Sequence, residues 1–482
     1  MKGLVSALLG RPSRRHVTRT VLAVCCIHVG LAVAGPSLAP GLVSTETRSY
    51  AKRYLFAPAH DAPDSWYAML PARRYALENG GEGLYRHVFF EQKRKFQYPT
   101  SAFLFVEPVL AMVPSVADPP ALHRILNLYL LYPFVLISIA GCVGIFGRSW
   151  IQYGRGAPSL LGLGCAALVA VFFFPGERAY FLGQIQTVLN ALLVLSLLGW
   201  CLGMRLVPGL LVGLACLVKP HLGVVLIWGL ARRQWAFVLS ATLLGLGGVI
   251  GACSLYGWRN FVEYFEVVRF ISQRGESFHM NNSFNGLMNG ILGNGYIHDF
   301  SFTSFAPYHP TVHAVTIASS VLLLGVMLFR PQHPTHRAGP IDYSVALATA
   351  VLASPIAWEH HYGPLIGIIS LLLPVVAERR SLGGTAILLV SLLLIGHRFV
   401  LFEVWGESFA LAYFYRLLGG LLLLGLLCRL GLENGRGKSI DPSLERDSPL
   451  ATGRLPPSLD ASGVATTVAR PLPSLAVDPV SG

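Results

Sequence analysis

The sequence predicts an all-α, polytopic membrane helical bundle of about ten full spans, with one re-entrant hairpin and a long extracytoplasmic first loop. Of its 482 residues, 53% are hydrophobic and only 13% are charged, whereas soluble domains carry about 25% charged residues. The mean hydropathy is +0.56. Several runs almost without charge approach the roughly 20 residues that cross a bilayer. Such runs occupy residues 122–146, 159–175, 186–204, 235–256, 312–329 and 409–427.

The first element is a basic amino-terminal segment, residues 1–18, followed by an apolar run. We interpret this run as an uncleaved first helix; the alternative is a signal peptide cleaved after residues 32–34. Both interpretations place the next polar segment, residues 44–100, outside the cytoplasm. The membrane domain is expected to extend over residues 19–430.

Arginines near the ends of later runs predict which turns face the cytoplasm, because positive residues collect on that side. With this rule the protein is a multi-pass protein of the cell (inner) membrane with both termini cytoplasmic. Membrane orientation explains the net charge of +13 better than nucleic-acid binding does. The arginines are Arg148, Arg155, Arg205, Arg232, Arg233, Arg330, Arg337, Arg379, Arg380 and Arg429.

Two segments need special treatment to keep this orientation. Residues 101–113 are short and bounded by prolines, so we expect them to lie in the interface without crossing. Arg205 and Arg232 both look cytoplasmic, so residues 206–230 are predicted to form a re-entrant hairpin with Lys219-Pro220-His221 at its tip. A single span with Lys219 facing the bundle is the alternative.

The remaining features are less specific. After residue 430 the composition turns to Pro, Ser and Gly, which predicts a disordered cytoplasmic tail over residues 431–482. All eight cysteines lie in or beside apolar runs without a CxxC pair, so neither a disulfide framework nor a metal cage is indicated.

The polar segment after the first helix contains Asp61-Ala-Pro-Asp64-Ser65-Trp66-Tyr67. A carboxylate at the membrane surface can act as a general base toward a sugar hydroxyl, and an aromatic residue such as Tyr67 suits a sugar face. Alternatively, both aspartates only cap the helix that the following residues predict.

Further polar residues fall on the same predicted outer side. Gln184 could bind hydroxyl groups or hydrogen-bond between helices. Lys219 lies within an apolar run, where an unpaired cation is costly and therefore indicates a functional site; a phosphate would be its natural partner. The alternative is a structural ion pair with Glu359.

Two later segments complete the candidate site. Asn282 lies in an outer loop rich in asparagine, and Trp358 precedes Glu359 and the pair His360-His361. Adjacent histidines do not share a helix face, and no third ligand stands at metal spacing. Phosphate or sugar contacts are therefore favoured. A divalent metal stays an alternative that the sequence does not indicate, and no cofactor is predicted with certainty.

Taken in order, these motifs resemble glycosyltransferase family 87 (formerly DUF2029), over about residues 44–430. The resemblance implies a GT-C type enzyme that transfers a hexose, mannose being the first candidate, from a polyprenyl-phosphate donor to a lipid or glycan acceptor, with inversion. The motifs are Asp64-Ser65-Trp66-Tyr67, Gly80 to Tyr85, Phe96 to Pro99, Gly183-Gln184, Gly209 to Pro220, Asn282-Ser283 and Ser354 to His361.

The resemblance also implies roles for single residues. Asp64 matches the general base and Lys219 the buried cation, which we expect to bind the donor phosphate with His360 and His361. Tyr67, Gln184, Asn282 and Trp358 are expected to hold the sugar or acceptor. The extra Asp61 departs from the pattern and is the alternative base. A transporter or flippase for lipid-linked sugars or polar solutes, or a structural scaffold, would be the competing functions.

Overall fold

The computed structural model describes residues 14–433 apart from 57, 114, 115, 117 and 154–156. This part of the chain is helical and contains no strand, only isolated bridges between Val43 and Phe399 and between Asn281 and Trp358, which confirms the all-α class. The predicted tail, from residue 434 on, and the first 13 residues of the basic segment lie outside the described residues.

The α-helices are numbered along the chain. In the first half they are α1 (Arg14–Val33), α2 (Gly35–Leu38), α3 (Glu46–Phe56), α4 (Asp64–Glu78), α5 (Glu107–Met112), α6 (Pro119–Leu126), α7 (Tyr132–Tyr153), α8 (Leu160–Val171), α9 (Phe174–Phe181), α10 (Gln186–Cys201) and α11 (Leu206–Val218). The second half contributes α12 (Val224–Ala231), α13 (Trp235–Tyr256), α14 (Trp258–Arg274), α15 (Phe284–Leu292), α16 (Pro310–Phe329), α17 (Pro340–Leu352), α18 (Leu365–Glu378), α19 (Leu382–Gly396), α20 (Val400–Ser408) and α21 (Tyr415–Leu432).

Six stretches among the described residues are long and apolar enough to cross a membrane, or seven if the bent pair α8–α9 is one span. Helices α10, α17 and α19 are apolar but shorter, with 10–17 residues. The chain is a multi-pass membrane protein, and its expected number of about ten crossings stays a prediction, because it needs these short helices to cross as well. The six stretches are Arg15–Val33, Pro119–Tyr153, Trp235–Tyr256, Pro310–Phe329, Glu359–Glu378 and Ala410–Leu432.

The polar segment 44–100, expected to be a loop, is largely helical. It holds α3, α4 and a short π-helix at Arg86–Glu91. Helix α4 buries Trp66 and Met69 at helical spacing, so an apolar face packs it onto the bundle. The Trp66 indole also donates to the Asn127 side chain (2.8 Å). The segment is therefore a fixed part of the structure.

Two glycines join this segment to the bundle. Gly81 and Gly257 both have positive φ, 83° and 82°, which favours glycine. A Cβ on Gly257 would lie 2.1 Å from the Gly81 carbonyl oxygen, and a Cβ on Gly81 would lie 2.8 Å from the Gly257 Cα. Here the two backbones touch directly, at the joint between α13 and α14.

Residues 206–231 form two short helices, α11 and α12, with a 3-10 turn at Pro220–Gly223 between them; the re-entrant course of this hairpin through the membrane stays a prediction. At the start of α11, the Leu206 carbonyl accepts a hydrogen bond from Ser240 on α13 (3.0 Å); at the end of α12, a Cβ on Gly229 would lie 2.8 Å from the neighbouring Phe237 ring. Both arms thus return to one end of α13. The tip lies further along α13, because Leu217 packs on Gly248.

Next to the hairpin base, a buried carboxylate binds two arginines. Asp342 on α17 is fully buried and pairs with Arg232 (2.8 Å) and with Arg330 (2.6 Å). Arg232 directly follows α12, and Arg330 follows α16. Asp342 therefore ties the hairpin to two further helices.

The helices in segment 101–113 are short, as predicted for a segment that does not cross the membrane. It forms a 3-10 helix, Thr100–Phe105, and then the six-residue α5, both too short to cross a bilayer. The Ser101 hydroxyl donates to the Leu217 carbonyl near the hairpin tip (2.6 Å). The segment therefore supports the hairpin tip.

Candidate active site

Asp64 is the first residue of α4, and its backbone is held by the loop between α9 and α10. The Asp64 amide donates to the Leu182 carbonyl (3.1 Å) and the Ser65 amide to the Gly183 carbonyl (3.4 Å). Gly183 has a positive φ of 71°, and a Cβ there would lie 2.0 Å from the Ala62 carbonyl oxygen. This close backbone contact explains why the Gly183-Gln184 motif begins with glycine.

The Asp64 side chain does not cap its own helix. Its Oδ2 accepts a hydrogen bond from the Gln184 amide nitrogen. The carboxylate remains accessible to solvent, although protein atoms surround it closely, and this desolvation raises its pKa above the usual range; the hydrogen bond from Gln184 and the charge of Arg178 oppose the rise. A carboxylate with a raised pKa and an open oxygen suits a general base.

Asp61 stands apart from this contact. Its carboxylate is 44% exposed and faces His123 on α6, with 3.0 Å between Oδ1 and Nδ1. Only Asp64 reaches Gln184. The structure therefore separates the two aspartates that the sequence left as alternatives, and places Asp64 beside the other polar residues.

Lys219 lies at the hairpin tip, where it donates to Gln186 (2.7 Å) and to Nε2 of His361 (2.5 Å). Because Nε2 accepts, the ring proton of His361 belongs on Nδ1, which lies 3.1 Å from the Ile356 carbonyl. An ammonium has three N–H donors, so one remains for a ligand. A small cavity lined by Gln186, Lys219, His221 and His361 lies beside it.

The alternative interpretation of Lys219, an ion pair with Glu359, is wrong. Glu359 is buried and pairs instead with Arg416 (2.7 Å) and Arg178 (3.7 Å). Within the described part of the chain, no carboxylate lies within ion-pair distance of Lys219. Its charge is therefore available to an anion.

The outer segments around Asn282 and Trp358 pair with each other. The Asn282 amide donates to the Ala357 carbonyl (2.8 Å), and Asn281 and Trp358 form an antiparallel bridge. Asn282 is buried and its side-chain oxygen has no hydrogen-bond partner, while Trp358 is half-buried. This pairing brings Asn282 to the segment that carries His361.

The remaining predicted site residues surround this centre. His360 is buried, its Nε2 lacks a partner, and its ring lies 4.8 Å from that of His361. Tyr67 is 54% exposed, one turn after Asp64, with the Arg94 guanidinium over its ring (5.1 Å). Among the described residues, no three His, Cys, Asp or Glu side chains are grouped to hold a metal.

Three supporting residues were not predicted from the sequence. Ser65 and Tyr98 both donate to the Gln184 side-chain oxygen, at 3.0 and 3.4 Å. Arg178 lies near Asp64 and Glu359 and donates to the Tyr50 hydroxyl (2.6 Å). Arg178 could have been predicted from the sequence, because a cation in an apolar stretch needs a partner. No sequence pattern indicated that the Ser65 and Tyr98 hydroxyls contact Gln184.

The bundle and this arrangement of carboxylate, amides and half-buried cation define an integral membrane protein with a polar site among its helices. The family model of glycosyltransferase family 87 matches residues 96–355, more than half of the chain. The chain therefore belongs to glycosyltransferase family 87 and is a glycosyltransferase. A search of the curated proteins finds no match to it.

The matched range covers Gln184, Lys219 and Asn282 but neither Asp64 nor the segment from Trp358 to His361. Asp64 and the segment from Trp358 to His361 lie outside the matched range, and only their contacts in the structure assign them to the site. Asp64 contacts Gln184, and His361 contacts Lys219.

Proposed function

We propose that this glycosyltransferase moves a hexose, mannose being the first candidate, from a polyprenyl-phosphate donor to an acceptor hydroxyl on a lipid or glycan. The reaction takes place on the extracytoplasmic face of the cell (inner) membrane and inverts the anomeric carbon. The prenyl chain of the donor lies in the bilayer, and the donor phosphate lies at Lys219.

In this reaction the acceptor oxygen attacks the anomeric carbon from the side opposite the phosphate. The new glycosidic bond forms as the bond between that carbon and the phosphate oxygen breaks. Asp64 takes the proton of the acceptor hydroxyl, and the departing phosphate keeps the electron pair. Lys219, with His361 beside it, stabilises the negative charge that develops on the phosphate.

One observation carries the proposal: the segment Gln184-Ile185-Gln186 contacts the base and the cation at once. Gln184 donates to Asp64, and Gln186 accepts from Lys219. A carboxylate and an ammonium are thus held apart on two sides of one short segment instead of forming an ion pair. A displacement with a proton acceptor at one end and an anionic leaving group at the other needs this separation.

The direct test is Asp64→Asn in membranes supplied with radiolabelled polyprenyl-phosphate mannose. Loss of a general base costs about 10²- to 10⁴-fold in rate, so transfer of label to a product should fall by that factor. Asp61→Asn is the matched control and should retain activity, since Asp61 contacts only His123 in the described structure. Full activity of Asp64→Asn would refute the assigned base.

A further inference from the structure

The Gln184 amide has a single orientation that satisfies its neighbours. Its oxygen accepts from the Ser65 hydroxyl (3.0 Å) and from the Tyr98 hydroxyl (3.4 Å). Ser65 is 2% exposed, and its own oxygen accepts from the Ile185 amide (2.9 Å), which leaves its proton to donate to the Gln184 oxygen. Burial raises the pKa of Tyr98 to about 12, so its hydroxyl keeps a proton to donate.

This orientation leaves the amide nitrogen of Gln184 on the side of Asp64. A flipped amide would present an oxygen to the carboxylate and lose the bond to Asp64, and the two hydroxyls would have to turn and accept from the amide instead of donating to it. Within the described structure only Oδ2 of Asp64 accepts a side-chain hydrogen bond. Oδ1 is therefore the oxygen left open.

We propose that Gln184, oriented by Ser65 and Tyr98, is a positioning residue that fixes the Asp64 carboxylate and leaves Oδ1 to take the proton of the acceptor hydroxyl. This inference rests on the proposed function, in which Asp64 is the base. It assigns Gln184 a different role from the sugar contact that the sequence suggested.

The test is the pH dependence of kcat/KM for Gln184→Leu, with Gln92→Leu as the matched control. Removing a hydrogen bond to the charged carboxylate raises the pKa of Asp64, so activity is lost at a higher pH as the solution is acidified. The acid limb should move up by about one pH unit, and kcat should fall more than the donor KM rises. Gln92 is exposed and bonds to His87, so its variant should keep the limb in place.

A double-mutant cycle separates this role from a general structural one. Tyr98→Phe should move the acid limb up by less than Gln184→Leu does, and should move it no further in the Gln184→Leu background, because Tyr98 acts only through the amide. Equal shifts by Tyr98→Phe in both backgrounds would overturn the proposal. So would a Gln184→Leu variant with an unmoved limb and a raised donor KM, which is the result expected for a sugar contact.

The results expected if only the positioning role of Gln184 is wrong differ from those expected if the proposed function itself is wrong. If Asp64→Asn is inactive and the Gln184→Leu limb does not move, the base stands and the positioning role is wrong. If Asp64→Asn is active, the proposed base itself is wrong. Gln184→Leu leaves the buried Ser65 hydroxyl without its acceptor, so it should melt somewhat lower in detergent than Gln92→Leu; Tyr98→Phe, which loses only a hydroxyl, provides a second variant that reports on the same contact.

Discussion

Lys219 carries a positive charge that no carboxylate among the described residues offsets, and this has a measurable consequence. Replacement by Met keeps the length of the side chain and removes the charge. We expect kcat/KM for the proposed polyprenyl-phosphate donor to fall by about 10²-fold or more, as for loss of one preorganised electrostatic donor. Transfer assays at varied donor concentration measure this; Lys52→Met, at an exposed position, should have no effect.

The same variant tests whether Lys219 has a structural role. Removing a half-buried cation without a counter-ion relieves a desolvation cost, so the melting temperature of Lys219→Met should stay equal or rise. A clear fall in melting temperature with unchanged kcat/KM would mean that Lys219 holds the fold and not the phosphate.

For single residues, the sequence predicted which side chains belong to the candidate site more successfully than it predicted their contact partners. Lys219 stood out because charges in apolar runs are costly, but its partners, Gln186 and His361, depend on how distant helices meet. The proposed pairing with Glu359 failed because two arginines that are remote in sequence, Arg178 and Arg416, take that carboxylate. Three-dimensional packing determines which distant residues pair, and the spacing of residues along the chain does not predict it.

Among the helices, the base of the hairpin depends on Asp342. Asp342→Asn would keep the shape of the side chain but leave the Arg232 and Arg330 charges unbalanced in a buried site. Breaking a buried ion pair by removing one partner costs about 3–5 kcal/mol, so thermal unfolding in detergent should shift strongly downward.

The control for this variant is an exposed ion pair. Glu82 pairs with Arg259, and both side chains are more than half exposed, where such pairs contribute little. Glu82→Gln should therefore melt close to the unmodified protein. An Asp342→Asn protein that melts like Glu82→Gln would show that the carboxylate does not anchor the hairpin.

The hairpin also shows why some elements could be predicted. Lys219-Pro220 marked the break between α11 and α12, and Arg205 and Arg232 predicted that both arms face the same side. The segment 44–100 was harder. The residues after Asp64 indicated a helix, but the bounds of α4 and its packing on the bundle could not be predicted, because this polar stretch lies outside the apolar runs.

For the whole molecule, the sidedness predicted from the arginines can be measured on intact cells. Lys93→Cys should react with a membrane-impermeant maleimide, because the polar segment is predicted to face outward; Arg337→Cys should react only after the membrane is permeabilised. Both positions are exposed. The unmodified chain, with its eight cysteines in or beside apolar runs, gives the background. Labelling of Arg337→Cys in intact cells would show that this position faces outward and would contradict the predicted orientation.

The direct contact between Gly81 and Gly257 has an evolutionary consequence. When two large side chains touch, a change in one can be offset by a change in the other, and related sequences record this as covariation. Here neither backbone leaves room for a Cβ, so no compensating pair exists. We expect relatives that keep this contact to carry glycine at both positions without covariation, so that methods which infer contacts from correlated substitutions would miss this one.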